Sequence, residues 1–277
     1  MSLTVKAYGK INLWLDITGY RGDGYHTLNT VMRRIDLYDD VEIETRGGGE
    51  VTVECSATGV PSGEWNIAYR AAKAFFEAAR RNVGAIIRIR KRIPVGAGLG
   101  GSSADGAAVL TALNELCGRP FDSVRLCRIG AGLGADVPFC ITGGTAKCTG
   151  IGEIMHPIDC AQFAALILVP EFSCSSAKAY RQYDETPVME KTGFEAFCSG
   201  IANNRSLLAH NMYNVFDELY GDSRISAMKE ALLRSGAEGV CMSGSGSAVF
   251  GIFPNVEAAE KAAEKIDLGT KIAVCAI

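Results

Sequence analysis

The sequence has no long apolar run and no excess of charge of one sign, and each absence excludes a class of protein. Its longest apolar stretch, residues 163–170, is far shorter than the about 20 residues that a membrane-spanning helix needs. Lysine and arginine number 28 against 31 aspartates and glutamates, so no basic face for nucleic acid is indicated. We therefore expect neither nucleic acid nor membrane as a partner.

Closely spaced cysteines and histidines are also lacking. The ten cysteines include no C-x-x-C pair, and none of the three histidines lies at zinc-ligand spacing to another. This pattern favours reduced core cysteines over disulfides or a zinc site. The N-terminus shows no basic segment followed by an apolar run, so we expect no signal peptide and a cytoplasmic location.

Hydrophobic periodicity predicts an α+β fold with two domains. Period-two alternation predicts strands at 11–17 and 87–89, and a hairpin of 41–44 with 51–53 around three glycines. Helical spacing predicts helices at about 67–81, 103–117 and 122–133. After a buried strand at 164–169, the C-terminal part predicts helix 225–235, strands near 240 and 249, helix 256–266 and strand 271–275. This ending is typical of a split βαβ plait, and we place the domains at 1–157 and 158–277.

The most informative segment is a glycine-rich loop at 94–104, Pro-Val-Gly-Ala-Gly-Leu-Gly-Gly-Ser-Ser-Ala, before a predicted helix. Dense glycines allow the backbone to direct several N–H groups to one point, and the helix adds its own N-terminal N–H groups. The loop therefore predicts an anion site, with phosphate as the ligand. Ser102 and Ser103 add hydroxyls for phosphate oxygens or hydrated Mg²⁺. The structural alternative is a flexible turn with a serine cap.

Two familiar nucleotide motifs fit this loop only in part. Gly96, Gly98 and Gly101 satisfy G-x-G-x-x-G, but Asp122 starts a predicted helix where the dinucleotide motif needs an acid after a strand. An NAD oxidoreductase is therefore disfavoured. The glycine spacing also suits a P-loop, yet Ser102 stands where that motif has lysine.

Two further segments carry polar groups in unusual places. Residues 242–247 read Met-Ser-Gly-Ser-Gly-Ser between two apolar strands, which permits close backbone approach to a ligand; a plain hairpin turn is the alternative. Asp136 lies in an otherwise uncharged, apolar stretch, where a carboxylate is costly unless paired or functional. A cap or turn role is the alternative for Asp136.

These segments together resemble the GHMP kinases, nearly from end to end. The glycine-serine loop and the segment 243–246 match the two glycine motifs of the family. Residues 7–13, 19–28, 133–139 and 150–153 are similar to one branch, whose R-x-D-G-Y-H string reads Arg-Gly-Asp-Gly-Tyr-His at 21–26. Residues 211–214 depart from it, since Asn-Met-Tyr-Asn replaces a common Asn-Asp pair. The resemblance implies a ribosomal protein S5 domain 2-like N-terminal domain and a ferredoxin-like C-terminal domain, with the active site in the cleft between them.

For function, the resemblance implies a kinase of the non-mevalonate isoprenoid pathway. The expected reaction is ATP-dependent phosphorylation of the 2-hydroxyl of a cytidylated methylerythritol (CDP-methylerythritol). ATP and Mg²⁺ are the expected cofactors, with the metal near Ser103 and no certain protein ligand. We expect a monomer or weak homodimer. The alternatives are a family member acting on another small alcohol, such as homoserine or mevalonate, and a catalytically silent nucleotide or metabolite sensor.

The resemblance also implies a role for each site residue. Asp136 accepts or orients the substrate hydroxyl proton, Lys10 stands beside it, and Tyr25 and His26 hold the cytosine. Phe172 is the competitor of Tyr180 for the opposite face of the base. The predicted substrate residues are Asn12, Tyr25, His26, Tyr180, Ser243 and Ser245. The predicted ATP residues are Asn66, Lys91, Pro94, Val95, Gly96, Ala97, Gly98, Leu99, Gly100, Gly101, Ser102, Ser103 and Ala104.

Overall fold

The computed structural model describes residues 1–186 and 188–276. The N-terminal elements are β1 (Ser2–Tyr20), β2 (His26–Gly47), β3 (Val51–Cys55), α1 (Ile67–Ala78), β4 (Val83–Arg90), α2 (Gly101–Leu116), α3 (Ser123–Ala131), α4 (Val137–Thr142), β5 (Thr145–Thr149) and β6 (Ile154–Pro157). There follow β7 (Ala164–Val169), α5 (Ser176–Glu185), α6 (Phe194–Gly200), α7 (Arg205–Asn211), β8 (Tyr213–Asn214), α8 (Val215–Tyr220), α9 (Ser223–Arg234), β9 (Val240–Met242), β10 (Val249–Phe253), α10 (Val256–Ala263) and β11 (Thr270–Cys275).

The chain divides into two compact units whose segments alternate along the sequence. The first unit comprises Met1–Gly9, Leu37–Val95 and Gly100–Gly143, and the second comprises Lys10–Asp36, Gly96–Leu99 and Gly144–Ile277. Strands β1 and β2 each contribute to both units. The predicted domains, 1–157 and 158–277, are a different division and stay a prediction; they also include Pro187 and Ile277, which lie outside the described residues.

In the first unit, helices pack with a sheet of order β3-β4-β2-β1, to which β1 contributes its N-terminal part. Helix α1 begins where the Asn66 side chain accepts the Ala68 N–H, and it buries an apolar face that includes Phe75 and Phe76. Helix α2 is apolar on most of its surface because it packs against α1, α3 and α4. Residues 40–47 of β2 pair antiparallel with β4.

The predicted hairpin of 41–44 with 51–53 is wrong. Strand β3 pairs in parallel with β4, and β4 lies between β3 and β2. Gly84 makes this possible, because a Cβ there would overlap the Glu50 carbonyl that accepts the Ala85 N–H at 2.9 Å. After the three-glycine turn that follows β2, the chain therefore forms β3 on the edge of β4 that is opposite to β2. Nothing in the local sequence signals this insertion.

The second unit contains the predicted C-terminal plait. Strand order β11-β7-β10-β9 is antiparallel throughout, with Ile167 opposite both Phe250 and Ile272. The order of helix, two strands, helix and strand after residue 222 is confirmed, and α9 and α10 pack on this sheet. The topology is ferredoxin-like, so the predicted α+β class is confirmed. Elsewhere in the unit, β2 pairs with β5, and Trp14 and Leu15 pair with β8.

None of the helices over residues 1–186 and 188–276 reaches the length and hydrophobicity of a membrane span.

Candidate active site

Lys10 occupies a buried position on β1 within the second unit. Its side chain is only 4% exposed, which is unusual for a lysine and requires polar partners. The ammonium donates to Asn12 Oδ1 at 2.7 Å and to the Gly98 carbonyl at 3.2 Å. A buried cation is thereby held against the first glycine segment.

Asn12 joins Lys10 to the C-terminal glycine segment. Its Oδ1 accepts both the Lys10 ammonium and the Gly244 N–H at 3.0 Å, and its Nδ2 donates to Thr30 Oγ1 at 2.9 Å. Three hydrogen bonds therefore hold the Asn12 side chain inside the protein. Its Oδ1 holds the Lys10 ammonium, and the predicted contact of Asn12 with substrate stays a prediction.

Residues 96–99 of the first glycine segment and residues 243–246 of the second meet inside the second unit. Ser243 Oγ donates to the Gly98 carbonyl at 3.0 Å, and the Ala248 N–H donates to the Ala97 carbonyl at 3.1 Å. Gly98 has φ of 78°, and a Cβ there would overlap the Ser243 carbonyl oxygen. Glycine is thus required at Gly98 for the contact between the two segments.

Asn214 is a residue that the sequence reasoning left without a role. It is 3% exposed, and its Nδ2 donates to the carbonyls of Met242 at 2.7 Å and Gly244 at 2.8 Å. Its Oδ1 caps α8 by accepting the Phe216 N–H. The sequence indicated Asn214 only through the departure of residues 211–214 from the family pattern, because a single asparagine does not reveal which distant carbonyl groups it contacts.

The loop backbone is suited to an anion. Gly96, Gly98 and Gly100 have φ of 69°, 78° and 72°, and the buried residues Ala97 and Leu99 alternate with them. Alternating backbone conformations of this kind turn successive N–H groups to a common side. Within the first unit, Gly100 is the N-cap of α2, so Ser102, which is exposed, and Ser103 lie in the first helical turn.

Lys91 is held by two carboxylates within the first unit. Its ammonium donates to Asp39 at 2.5 Å and to Asp105, on the first part of α2, at 2.7 Å. Asp39 also accepts the N–H groups of Arg92 and Ile93. The Lys91 ammonium would lie 3.2 Å from a Cβ at Gly101, so this ion cluster supports the start of α2.

Burial raises the pKa of Asp105 to about 7, with Asp39 adding to the rise and Lys91 opposing it. One ammonium cannot fully compensate two buried carboxylates. Asp105 Oδ1 is accordingly a buried atom without a hydrogen-bond partner. The proximity of Lys91 to ATP stays a prediction, and no local pattern in the sequence indicates its two aspartate partners.

Asn66 and Asp136 also lie in the first unit, at helix starts. The Asn66 side chain accepts the Ala68 N–H at 2.8 Å and donates to the Pro61 carbonyl at 2.8 Å. Asp136 is the N-cap residue of α4 and is half-buried, but its carboxylate makes no capping hydrogen bond. The Asp136 side chain therefore does not cap α4, and its chemical role stays a prediction.

Of the residues predicted to hold cytosine, His26 and Tyr180 lie against each other in the second unit. The His26 ring stacks on Tyr180 with centroids 5.0 Å apart at 27°, while Phe172 is covered by the Arg224 guanidinium at 3.7 Å. Tyr180 is thus placed beside His26 and Phe172 is otherwise engaged. Tyr25 is 58% exposed, which leaves its ring available to a ligand.

Ser243 and Ser245 have hydroxyls that are used within the protein. Ser243 is fully buried, and its Oγ also accepts the Asn12 N–H at 3.3 Å. Ser245 Oγ lies 2.7 Å from Ser176 Oγ, and the Ser245 carbonyl accepts the Tyr220 hydroxyl. Both serines hold the C-terminal glycine segment in place. Their predicted contact with substrate stays a prediction.

A dedicated metal cage is absent from the part of the chain that the structure describes, since no three His, Cys, Asp or Glu side chains gather into one. Mg²⁺ in phosphoryl-transfer enzymes is often bound by one or two protein oxygens together with substrate phosphates. The Ser102 and Ser103 hydroxyls in the first turn of α2 fit such an ion. They would hold it only in company with nucleotide phosphates.

Comparison with known sequences identifies the family of this chain. The family models described as "GHMP kinases N terminal domain" and "GHMP kinases C terminal" match residues 66–144 and 195–268. The chain is 44% identical to the 4-diphosphocytidyl-2-C-methyl-D-erythritol kinase of Acetivibrio thermocellus, covering 92% of this chain and 91% of the relative. It is 39% identical to the enzyme of that name from Clostridium acetobutylicum, with 94% of each chain covered.

Solved structures give the same result for the fold. A crystal structure of 4-(cytidine 5'-diphospho)-2C-methyl-D-erythritol kinase matches with a TM-score of 0.79 and 31% identity, over 99% of this chain and 100% of that one. The homoserine kinase of Cytophaga hutchinsonii matches with a TM-score of 0.77 at 20% identity, over 100% of this chain and 94% of that one. The second likeness concerns the fold alone.

Proposed function

This chain belongs to the GHMP kinase family, a family of ATP-dependent kinases, and we propose that it phosphorylates the 2-hydroxyl of 4-diphosphocytidyl-2-C-methyl-D-erythritol. The reaction places it in the non-mevalonate route to isoprenoid precursors. The observation that carries the proposal is the Tyr25-His26 pair with its aromatic neighbours, in a chain 39% and 44% identical to two kinases of that name.

Cytosine recognition is the part of the proposal that sets this substrate apart from other small alcohols. The exposed Tyr25 ring offers a face on which a pyrimidine can stack. His26 offers hydrogen bonding to the base edge, and Tyr180 is the second aromatic ring of the site. Homoserine and mevalonate have no base that would use these groups.

Phosphoryl transfer requires positioning and charge compensation more than covalent chemistry. Asp136 accepts or orients the proton of the attacking hydroxyl, and Lys10 interacts with the transferring phosphoryl group. The burial of Lys10 and its hydrogen bonds to Asn12 and the Gly98 carbonyl support this assignment, because they fix the ammonium before substrate arrives. A catalytically silent sensor would have no use for a lysine held in this way.

ATP is the proposed phosphate donor, with its phosphates on the loop at 94–104 and its nucleoside near Asn66 and Lys91. The positive φ values of the loop glycines and the start of α2 support phosphate binding there. Mg²⁺, when bound with the nucleotide near Ser103, supplies charge neutralisation of the phosphates. The role of Lys91 is to hold the start of α2 through Asp105.

A coupled ADP-release assay against a panel of alcohols tests the proposal. The panel contains the cytidylated methylerythritol, homoserine, mevalonate and phosphomevalonate, each with ATP and Mg²⁺. We expect ADP release with the cytidylated substrate and at most background with the others. Turnover of homoserine or mevalonate in preference to it would refute the substrate assignment, and no turnover with any alcohol would favour the silent sensor.

Substrate binding is tested separately with two variants. Stacking of a base on an aromatic ring contributes about 1–3 kcal/mol in nucleic-acid systems, so Tyr25→Ala should weaken binding of the cytidylated substrate roughly 5- to 150-fold. His26→Ala should reduce the preference for cytosine over uracil. Neither change should much alter the KM for ATP. A rise in KM for ATP with an unchanged KM for the cytidylated substrate would place both residues at the nucleotide site instead.

A further inference from the structure

A carboxylate that no motif predicted holds the His26 ring. His26 Nε2 lies 2.7 Å from Asp184 Oδ1, within hydrogen-bonding distance, although the two residues are 158 positions apart in the chain. The His26 side chain is 9% exposed, whereas Asp184, near the end of α5, is 49% exposed. The histidine is thus nearly enclosed and its partner is at the surface.

Three tyrosines hold the plane of the His26 ring. Tyr180 stacks on it, while Tyr20 and Tyr183 approach it edge-on, with centroids 5.2 and 5.9 Å away at 79° and 89°. Turning the ring by 180° about its Cβ–Cγ bond would keep it in the same plane against these neighbours but would take Nε2 away from Asp184. The structure therefore specifies which nitrogen faces the carboxylate.

That orientation determines the chemistry of the other nitrogen. An ionised carboxylate only accepts hydrogen bonds, so Nε2 carries the proton, and in the neutral ring Nδ1 is then an acceptor. Among the described residues Nδ1 has no hydrogen-bond partner. Three buried side-chain atoms of the described residues lack a hydrogen-bond partner: Trp14 Nε1, Arg33 Nε and Asp105 Oδ1. His26 Nδ1 is not one of these buried atoms. Nδ1 is consequently left for a ligand.

We propose that Asp184 is a positioning residue that sets the base preference of the enzyme through His26. An acceptor at Nδ1 pairs with the 4-amino group of cytosine, which is a donor, and opposes the 4-oxygen of uracil, which is an acceptor. This inference rests on the proposed function and specifies how His26 distinguishes cytosine from uracil. It also limits His26 to one hydrogen bond with the base edge, because Nε2 is already used.

The test compares the cytidylated substrate with its uridylated analogue in wild type, Asp184→Ala, Asp184→Asn and Glu185→Gln. The readout is the ratio of kcat/KM for the two substrates. Asp184→Ala should lower the preference for cytosine about tenfold, the order of one hydrogen bond. Asp184→Asn should keep most of the preference, because its amide oxygen can accept the same N–H. Glu185→Gln makes the same charge change at the neighbouring, exposed position and should match wild type.

Each remaining outcome overturns the proposal. An equal loss for both substrates in Asp184→Ala would show a structural role only, and thermal melting of each variant identifies loss of folding. If Asp184→Asn behaved like Asp184→Ala, charge and not the acceptor would matter. A wild-type preference for the uridylated analogue would indicate a donor at Nδ1. The proposed function itself fails only if wild type turns over neither substrate.

Discussion

Asn12 connects two groups that the sequence places 234 positions apart, Lys10 and Gly244. Lys10→Ala should lower kcat by about 10²–10³-fold, as for deletion of one preorganised charge-stabilising group. Asn12→Ala should lower kcat by up to about 10²-fold, since Lys10 loses the 2.7 Å hydrogen bond to Asn12 Oδ1 and shifts. Thr30→Val removes the hydrogen bond from Asn12 Nδ2 and the bond from Thr30 Oγ1 to the Trp14 carbonyl. Neither bond involves Lys10, so its effect on kcat should be smaller.

Steady-state kinetics of the three variants, with melting temperatures as the folding control, provide the measurement. Wild-type kcat in Lys10→Ala would remove this lysine from the mechanism. A Thr30→Val effect as large as that of Asn12→Ala would mean that the whole buried network, and not the Asn12 acceptor, is what positions Lys10.

Asp105 predicts a pH dependence of stability at the residue scale. Its pKa rises from 3.8 to about 7 on folding, chiefly because burial disfavours the carboxylate. Between these values the folded state binds more protons than the unfolded state, so the contribution of Asp105 to stability falls as the pH rises from about 4 to about 7. Asp105→Asn removes this titration.

Urea unfolding at several pH values measures the effect. The free energy of unfolding of wild type, relative to Asp105→Asn, should decrease steadily over that interval and level off above it. Titrating groups away from the cluster of Asp105, Lys91 and Asp39 are shared by the two proteins and cancel in the difference. A difference that stays constant, or that increases with pH, would contradict the raised pKa.

At the scale of elements, the contact between the two glycine segments depends more on Gly98 than on Gly101. Gly98→Ala should disrupt the contact with Ser243, because the backbone has positive φ and the new Cβ would overlap a carbonyl oxygen. Gly101→Ala should be milder, since its Cβ would lie 3.0 Å from a side-chain methyl group of Ile93. We expect a larger drop in melting temperature and in kcat for Gly98→Ala.

Differential scanning fluorimetry and kinetics with both variants test this ranking. The comparison also separates two explanations of an inactive loop variant. If Gly98→Ala melts as wild type but fails to bind ATP, the glycine is needed for phosphate approach. If it melts at lower temperature, the packing against Ser243 is its main role.

For the whole molecule, nucleotide binding should appear as stabilisation. A ligand at 100 times its Kd stabilises the folded state by about 2.7 kcal/mol, so ATP with Mg²⁺ should raise the melting temperature by several degrees. NAD should produce no shift, because the G-x-G-x-x-G pattern of this chain precedes no dinucleotide-binding unit. An equal shift with NAD would contradict the assignment of the loop.

Oligomeric state also belongs to this scale. Monomer or weak homodimer stays the prediction, and sedimentation velocity over a range of concentrations measures it. A stable dimer at the lowest concentration would contradict the prediction.

The sequence by itself determined the helices α1, α2, α3, α9 and α10, most strands, the ferredoxin-like ending and the family, whereas it did not predict α4 to α8. Periodicity shows which face of an element is apolar. A motif such as residues 21–26 can be recognised because its residues are consecutive in the sequence. The tertiary structure alone decided that β4 separates β2 from β3, that Lys91 serves two aspartates and that Asp184 holds His26. Each of these is a pairing of distant residues, and such a pairing depends on strand order and packing that no local pattern encodes.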